Sequence, residues 1–346
     1  MNLLAVYSLA QAKQWDVAVR SFHAYDVYWL SGYVKAFQLN GDGEPLLFFY
    51  DDGSLRGINV VLKRDVAKDP HFVGRIPEGT WFDLSVPYGY GGWLLEGDGD
   101  AEPLFESYSE WIRKNGLISE FVRFHPMLQN HERCRSFYDV VQLGKVVHMD
   151  LSSPETIWAN ISSKNRNMIR KAINQNVRVY HGCFPEIISR FREIYNKTME
   201  EDEASSYYFF EPEFYDSILN DLAENAQVFW AEKDGQVISA SIMLAANGHL
   251  NYHLSGSRRE YRSLAAGNLI LYRAALWGSA NGCKTFYLGG GVGSGEDSLF
   301  HFKRAFYRGE LSRFYIGKKV YDPEKYDALV SMRGQVESGF FPKYRA

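Results

Sequence analysis

The 346-residue chain has only three cysteines, Cys134, Cys183 and Cys283, far apart and odd in number. That excludes a disulfide framework and fits reduced thiols in a cytoplasmic chain. No stretch of ~18 consecutive apolar residues occurs, so no membrane span is expected. The first residues, MNLLAVYSLAQAKQW, hold a short apolar run without a basic lead-in or a cleavage pattern, and do not read as a signal peptide. A strong charge of either sign is lacking as well. Lys and Arg number 38 against 42 Asp and Glu, a net charge of −4 that does not draw the whole molecule to nucleic acid. No DNA partner is expected. His125, His131 and Cys134 match no common zinc spacing, and no metal site is expected.

Aromatics are plentiful: 23 Tyr, 23 Phe and 8 Trp supply flat amphipathic surface for lining grooves. At ~100–200 residues per domain the length points to two domains. The chain also repeats an order of elements. LLFFYDDGSLRGINVVL (46–62) and VFWAEKDGQVISASIML (228–244) each read as a hairpin about an Asp-Gly turn. SEWIRKNGLISEFVRFHP (109–126) and LWGSANGCKTFYLGG (276–290) each read as a helix that ends at Asn-Gly and feeds a strand. The expected fold is therefore α/β (α+β), a duplicated unit with a mixed, mostly antiparallel sheet flanked by helices. Domains are expected at 1–149, with a tail 322–346 packing back on it, and at 150–321.

The second half opens with Ser152-Ser153-Pro154-Glu155, an N-cap, a first-turn proline and a capping-box acid. One helix is expected to follow, with Ile157, Trp158, Ile161, Met168, Ile169, Ala172 and Ile173 on a single face. Two more helices, three strands, a helix from about Arg262 to Ala280 and a strand to Leu288 come next. The strand ends in GGGVGSGEDSLFHFKRAF (289–306). Its glycines suit close backbone approach, but no Gly-Lys-Ser/Thr follows, so it is not a P-loop.

Three stretches resemble the Fem-type (FemA/FemB/FemX) aminoacyl transferases, which are tandem GNAT-like acyltransferases: SSKNRNMIRKAINQNVRVYHG (162–182), YHLSGSRREYRSLAAGNLILYRAALWGSANG (252–282) and YLGGGVGSGEDSLFHFKRAFYRGELSRFYIGKKVYDPEKYDAL (287–329). The resemblance implies an N-acyltransferase that passes an amino acid from tRNA to an amine of a cell-wall precursor. It implies Lys303, beside Phe302, as the cation that meets the carbonyl oxyanion; without the resemblance, the residues alone favour a surface lysine snorkelling over aromatics. Asp297 is expected to bind polar substrate groups or to cap the next segment. Tyr252 and His253 are expected on a strand lining a cleft between the halves, with His253 the candidate for proton transfer.

Departures from the family pattern shape the rest. Lys35 is kept from the muramyl-nucleotide pattern, while a second lysine is replaced by Phe37. The aromatic pairs around Tyr208 stand where the family has an arginine, and His125 stands where an acid is common. Lys35, Tyr208 and His125 are taken as substrate contacts. Arg262-Ser263-Leu264-Ala265-Ala266-Gly267-Asn268 is a blurred pyrophosphate loop, which makes Arg262, Gly267 and Asn268 the cofactor contacts of the alternative reading, an acyl-CoA-dependent GNAT acting on an amino sugar or other small amine. No tightly bound cofactor is expected: the co-substrate is aminoacyl-tRNA, or acyl-CoA in the alternative. The acceptor is an amine-bearing envelope precursor, with peripheral contact to a lipid-linked form. The basic run Lys164, Arg166, Arg170, Lys171 is the local charge available to tRNA.

Overall fold

The structure, a computed structural model, describes residues 3–335 and 339–346. The chain divides into two units, Met1–Leu143 with Phe314–Ala346, and Gly144–Arg313.

In the first unit β1 (Leu4–Tyr7), α1 (Ala12–Arg20) and α2 (Ser31–Leu39) precede β2 (Glu44–Asp51) and β3 (Arg56–Asp65). The Asp-Gly hairpin forms at β2–β3, with Leu47 opposite Val60. Its turn is held by the Asp52 carboxylate, which accepts from the N–H of Ser54 (2.8 Å) and of Leu55 (2.7 Å). Then come β4 (Phe82–Ser85), β5 (Leu94–Glu96), α3 (Glu102–Lys114) and β6 (Leu117–Arg123). From β7 (Asp139–Asp150) the chain enters the second unit.

That unit contains α4 (Pro154–Asn160), α5 (Ser163–Asn174), β8 (Arg178–Gly182), α6 (Pro185–Glu201), α7 (Pro212–Asp221), β9 (Ala226–Lys233), β10 (Gln236–Ala246), β11 (His249–Ser257), α8 (Ala266–Ala280), β12 (Thr285–Gly289) and α9 (Ser298–Arg304). Along β13 (Ser312–Val320) the chain returns to the first unit and ends there with α10 (Pro323–Arg333) and Tyr344-Arg345.

The two sheets share one plan. In the first unit the order is β1-β2-β3-β4-β6-β13, with β5 beside β3; in the second it is β8-β9-β10-β11-β12-β7. In each, one parallel pair (β4–β6, β11–β12) interrupts antiparallel neighbours, as a helical crossover requires. The unit boundaries fall at 143/144 and 313/314, not at 149/150 and 321/322. They lie inside β7 and β13, so continuous strands rather than linkers carry the chain across.

The Ser153 cap forms, its hydroxyl accepting from the Thr156 N–H at 3.1 Å. The single long helix expected after it does not. Ile161 is extended (φ −72, ψ 133) and Ser162 caps a new helix through the Asn165 N–H. Ile173 consequently lies 44% exposed, off the apolar face. Likewise α8 begins at Ala266, because Ala265 takes a left-handed φ of 56°, leaving Arg262 in the preceding turn. On one face of the second sheet α5 and α8 share a core with Phe286, Leu288, Phe300 and Phe306. The buried side chains of α6, Ile187, Ile188, Phe191, Ile194 and Tyr195, lie outside that core and pack with β10 and β11.

Candidate active site

The β11–β12 ladder is short. Its pairs run only from His249/Thr285 to Asn251/Tyr287, although β11 continues to Ser257 and β12 to Gly289. The register with β10 slips where Ile242 faces Leu254 and Met243 faces Tyr252, so His253 is the extra residue of a β-bulge. From Tyr252 onward, the edge of β11 toward β12 is no longer laddered to it. Bulge and early end of pairing together leave β11 from Tyr252 and β12 from Leu288 without ladder pairs between them.

Lys303 lies beside this unpaired stretch, next to Tyr252 and Gly290. It is 8% exposed, and its Nζ donates to the Gly290 carbonyl at 2.7 Å. The same atom lies 6.0 Å from the Tyr252 ring centroid. Burial brings the Lys303 pKa down to about 8, with Asp297 acting in the opposite direction. This is a lysine enclosed among protein atoms, unlike one snorkelling at a surface. The glycine loop makes room for it. A Cβ at Gly289 (φ 86°) would lie 3.3 Å from Nζ, and one at Gly291 would lie 2.2 Å from the Asp297 carboxylate. Asp297 caps α9: its carboxylate accepts from the Phe300 N–H (2.8 Å) and the Val292 N–H (3.1 Å), which holds its pKa low. Of its two expected uses, the geometry shows the cap. Phe302, on the same helix, packs against the core shared by α5 and α8.

Tyr252 is supported from beneath. Its hydroxyl bonds Ser255 and Ser241, whose hydroxyls are 2.9 Å apart, and burial raises its pKa. A second serine pair, Ser239 and Ser257, lies along the same two strands at 2.7 Å. Neither pair figured among the expected site residues. Their trace in the sequence is serine at every second position of otherwise apolar strands, and only the register shows that they face each other. His253 is half-buried, but its Nε2 is shut off from solvent, and burial takes the pKa down to about 3. An imidazole shifted that far is neutral at neutral pH.

The remaining expected residues do not gather here. Arg262 pairs with Asp202 at 3.7 Å on an exposed turn. Asn268 donates to Asn165 Oδ1 at 2.7 Å, tying α8 to α5, while Asn165 Nδ2 is enclosed without a partner among the described residues. Gly267 looks onto open space, a Cβ there meeting only the Phe302 ring, at 4.0 Å. Tyr208 lies in the turn before α7, edge-on to Tyr207.

In the first unit, His125 is 1% exposed. The Leu128 N–H donates to its Nδ1 at 3.2 Å, so the ring proton is on Nε2, 3.0 Å from Asp26. With both nitrogens engaged and Tyr28, Trp29 and Tyr90 around the ring, His125 is a core residue, and the expected substrate contact is corrected. Phe37, the lysine replacement, is fully buried against Tyr33 and Tyr88; Lys35 is half-buried on the same helix. His131 stacks on Tyr315 at 3.7 Å, and among the described residues no group of three or more His, Cys, Asp or Glu is placed to hold a metal ion. No helix among them is long and apolar enough to cross a membrane.

Residues 163–304 match the acetyltransferase (GNAT) domain family. The UDP-N-acetylmuramoylpentapeptide-lysine N(6)-alanyltransferase of Weissella viridescens is 28% identical over 172 residues, 49% of this chain and 50% of that protein. The match thus spans about half the length of the relative. Among solved structures, FemX superposes with a TM-score of 0.69 at 13% identity, covering 92% of this chain and 98% of FemX. The C-terminal domain (DUF2156) of a putative lysylphosphatidylglycerol synthetase from Agrobacterium fabrum gives 0.56 at 15% identity, covering 95% of this chain and 98% of that one. The structural likenesses speak for the fold, which this chain shares with FemX over nearly its whole length.

Proposed function

We propose that the protein is an N-acyltransferase that passes an aminoacyl group to an amine of a peptidoglycan precursor. The observation that carries this is the buried ammonium of Lys303 beside Tyr252 and Gly290, where β11 and β12 no longer pair. An ammonium has three donors, and one is spent on Gly290. The other two are available to a carbonyl oxygen that gains negative charge as an amine attacks its carbon. The tetrahedral species then collapses: the C–N bond stays, the ester C–O bond breaks, and the amine's proton passes to the departing carrier hydroxyl. Enclosure strengthens the attraction between ammonium and oxyanion over its value in water. The alanyltransferase relative supports an amine-bearing envelope precursor as acceptor and an aminoacyl group as cargo.

Lys303→Ala tests the assignment. The expected loss in kcat is about 10²–10³-fold, the range for one removed oxyanion donor, with the melting temperature retained. Unchanged turnover in a folded variant overturns the role.

A second reading, transfer from acyl-CoA, is favoured by the N-terminal turn of α8, where a Cβ at Gly267 would meet only the Phe302 ring, at 4.0 Å, and Asn165 Nδ2 is unpartnered among the described residues. Thermal stabilisation by CoA but not by an aminoacyl-tRNA mimic selects this reading; the reverse selects the first.

A further inference from the structure

On the α6 side of the second unit lies a concavity that shares no residue with the Lys303 site. A cavity of about 360 Å³ opens between α6 and α7. Ile188, Arg192 and Asn196 line it from α6, four residues apart and so on one helical face. Pro212, Tyr215 and Asp216 line it from the first turn of α7.

Its polar atoms are unusual. Tyr215 is 1% exposed, and its hydroxyl is enclosed without a hydrogen-bond partner among the described residues. The Oδ1 of Asn196 is enclosed and unpartnered in the same sense. Buried polar atoms in native folds are nearly all bonded, so two orphans in the lining of one cavity call for an explanation. Arg192 is half-buried and Asp216 exposed, and neither enters an ion pair among the described residues. Burial raises the Tyr215 pKa, the Arg192 charge opposing, so the hydroxyl keeps its proton at physiological pH.

We propose that this cavity binds a small zwitterion of the α-amino carboxylate class. The Arg192 guanidinium and the Tyr215 hydroxyl donate to the carboxylate. Asn196 Oδ1 and the Asp216 carboxylate accept from the ammonium. A simple anion leaves Asn196 Oδ1 unsatisfied and meets Asp216 as a like charge; a simple amine leaves the Tyr215 hydroxyl and Arg192 unmatched. The volume lies at the low end of small-molecule pockets, and Ile188 with Pro212 gives it an apolar wall.

The test is calorimetric titration of the full chain with L-alanine, L-lysine and L-glutamate, using acetate, ethylamine and alanyl-alanine as comparators. At least one amino acid binds saturably with a Kd of roughly 10 μM–1 mM, and each comparator binds at least about 10-fold more weakly. Tyr215→Phe and Arg192→Gln each weaken that binding by about 10-fold, while Lys303→Ala leaves it unchanged. Tyr215→Phe melts no lower than the parent, since the hydroxyl it removes makes no hydrogen bond among the described residues. Lack of binding by all three amino acids up to about 10 mM overturns the proposal. So does acetate or ethylamine binding as tightly as the amino acid, or binding indifferent to both pocket variants.

Discussion

Whether Lys303 is charged decides whether it can meet an oxyanion. With a pKa of about 8 it is mostly an ammonium at neutral pH and mostly a neutral amine above pH 9. If the amine's protonation is held constant by a weakly basic acceptor, turnover falls as pH rises through about 8; a profile flat from pH 7 to 10 contradicts the cationic role. Stability runs the other way. The folded pKa lies below the ordinary 10.5, so between about 8 and 10.5 the unfolded chain binds more protons. Stability therefore rises with pH across that window, and Lys303→Met removes the rise. The same reasoning, with opposite sign, applies to Glu120 in the first unit. Burial raises its pKa although Tyr138 (3.0 Å), Tyr321 (2.6 Å) and Asn59 (3.3 Å) all donate to it. A raised carboxylate stabilises the fold below the unfolded pKa and loses that contribution as pH rises through the folded one. Urea titrations across this range show a decline in the parent that Glu120→Gln flattens; superimposable profiles refute the account.

Elements differ in how far the sequence announces them. The Asp-Gly hairpin, the Ser153 cap and the Asn-Gly helix ends are local chemistry, and each is visible as residues in order. The break at Ile161–Ser162 is not, because the apolar spacing continues across it while the Ser162 cap wins the local competition. The late start of α8 depends on one alanine at positive φ, which no pattern marks. The bulge at His253 depends on register with another strand. The last described segment anchors by an interaction equally hard to foresee. Burial pushes the Asp83 pKa up, but Arg64 and Arg345 more than offset it, and the net shift is downward. Arg345 Nε reaches the carboxylate at 2.5 Å, Arg64 at 2.7 Å and the Tyr344 hydroxyl at 3.0 Å. Arg345→Ala leaves a buried charge with one cation fewer, at a cost of roughly 3 kcal/mol in chemical denaturation. Because Asp83 then protonates more readily in the folded chain, the variant loses less stability on acidification than the parent does, and the gap between the two narrows as pH falls. Adding Asp83→Asn recovers part of the loss if the stranded charge is its cause; a double variant no more stable than Arg345→Ala rejects that explanation.

For the whole molecule, duplication was legible because it is written twice: hairpin, strand, helix, strand in each half. What the order of elements did not reveal is that each half lends a strand to the other's sheet, β7 to the second unit and β13 to the first. The carrier of the acyl group is a question at this scale, since a chain of net charge −4 offers a polyanion only local footholds. The foremost is α5. Lys164, Arg170 and Lys171 are exposed on it, and Arg166 and Arg170 lie 5.9 and 5.2 Å from the Trp158 ring centroid. Reversing Lys164 and Lys171 to Glu touches neither the core nor the Lys303 site. If aminoacyl-tRNA is the carrier, the double reversal raises its KM several-fold at low salt. The dependence of log K on log salt also becomes shallower, by about 0.7–0.9 for each phosphate that is no longer neutralised. Turnover at saturating donor stays at the parent's value, because the reacting atoms are untouched. If acyl-CoA is the carrier, its few phosphates at α8 do not register the change, and KM and salt slope remain those of the parent. A fall in turnover with unchanged KM fits neither carrier and would show that α5 supports the site mechanically through the Asn165–Asn268 bond to α8.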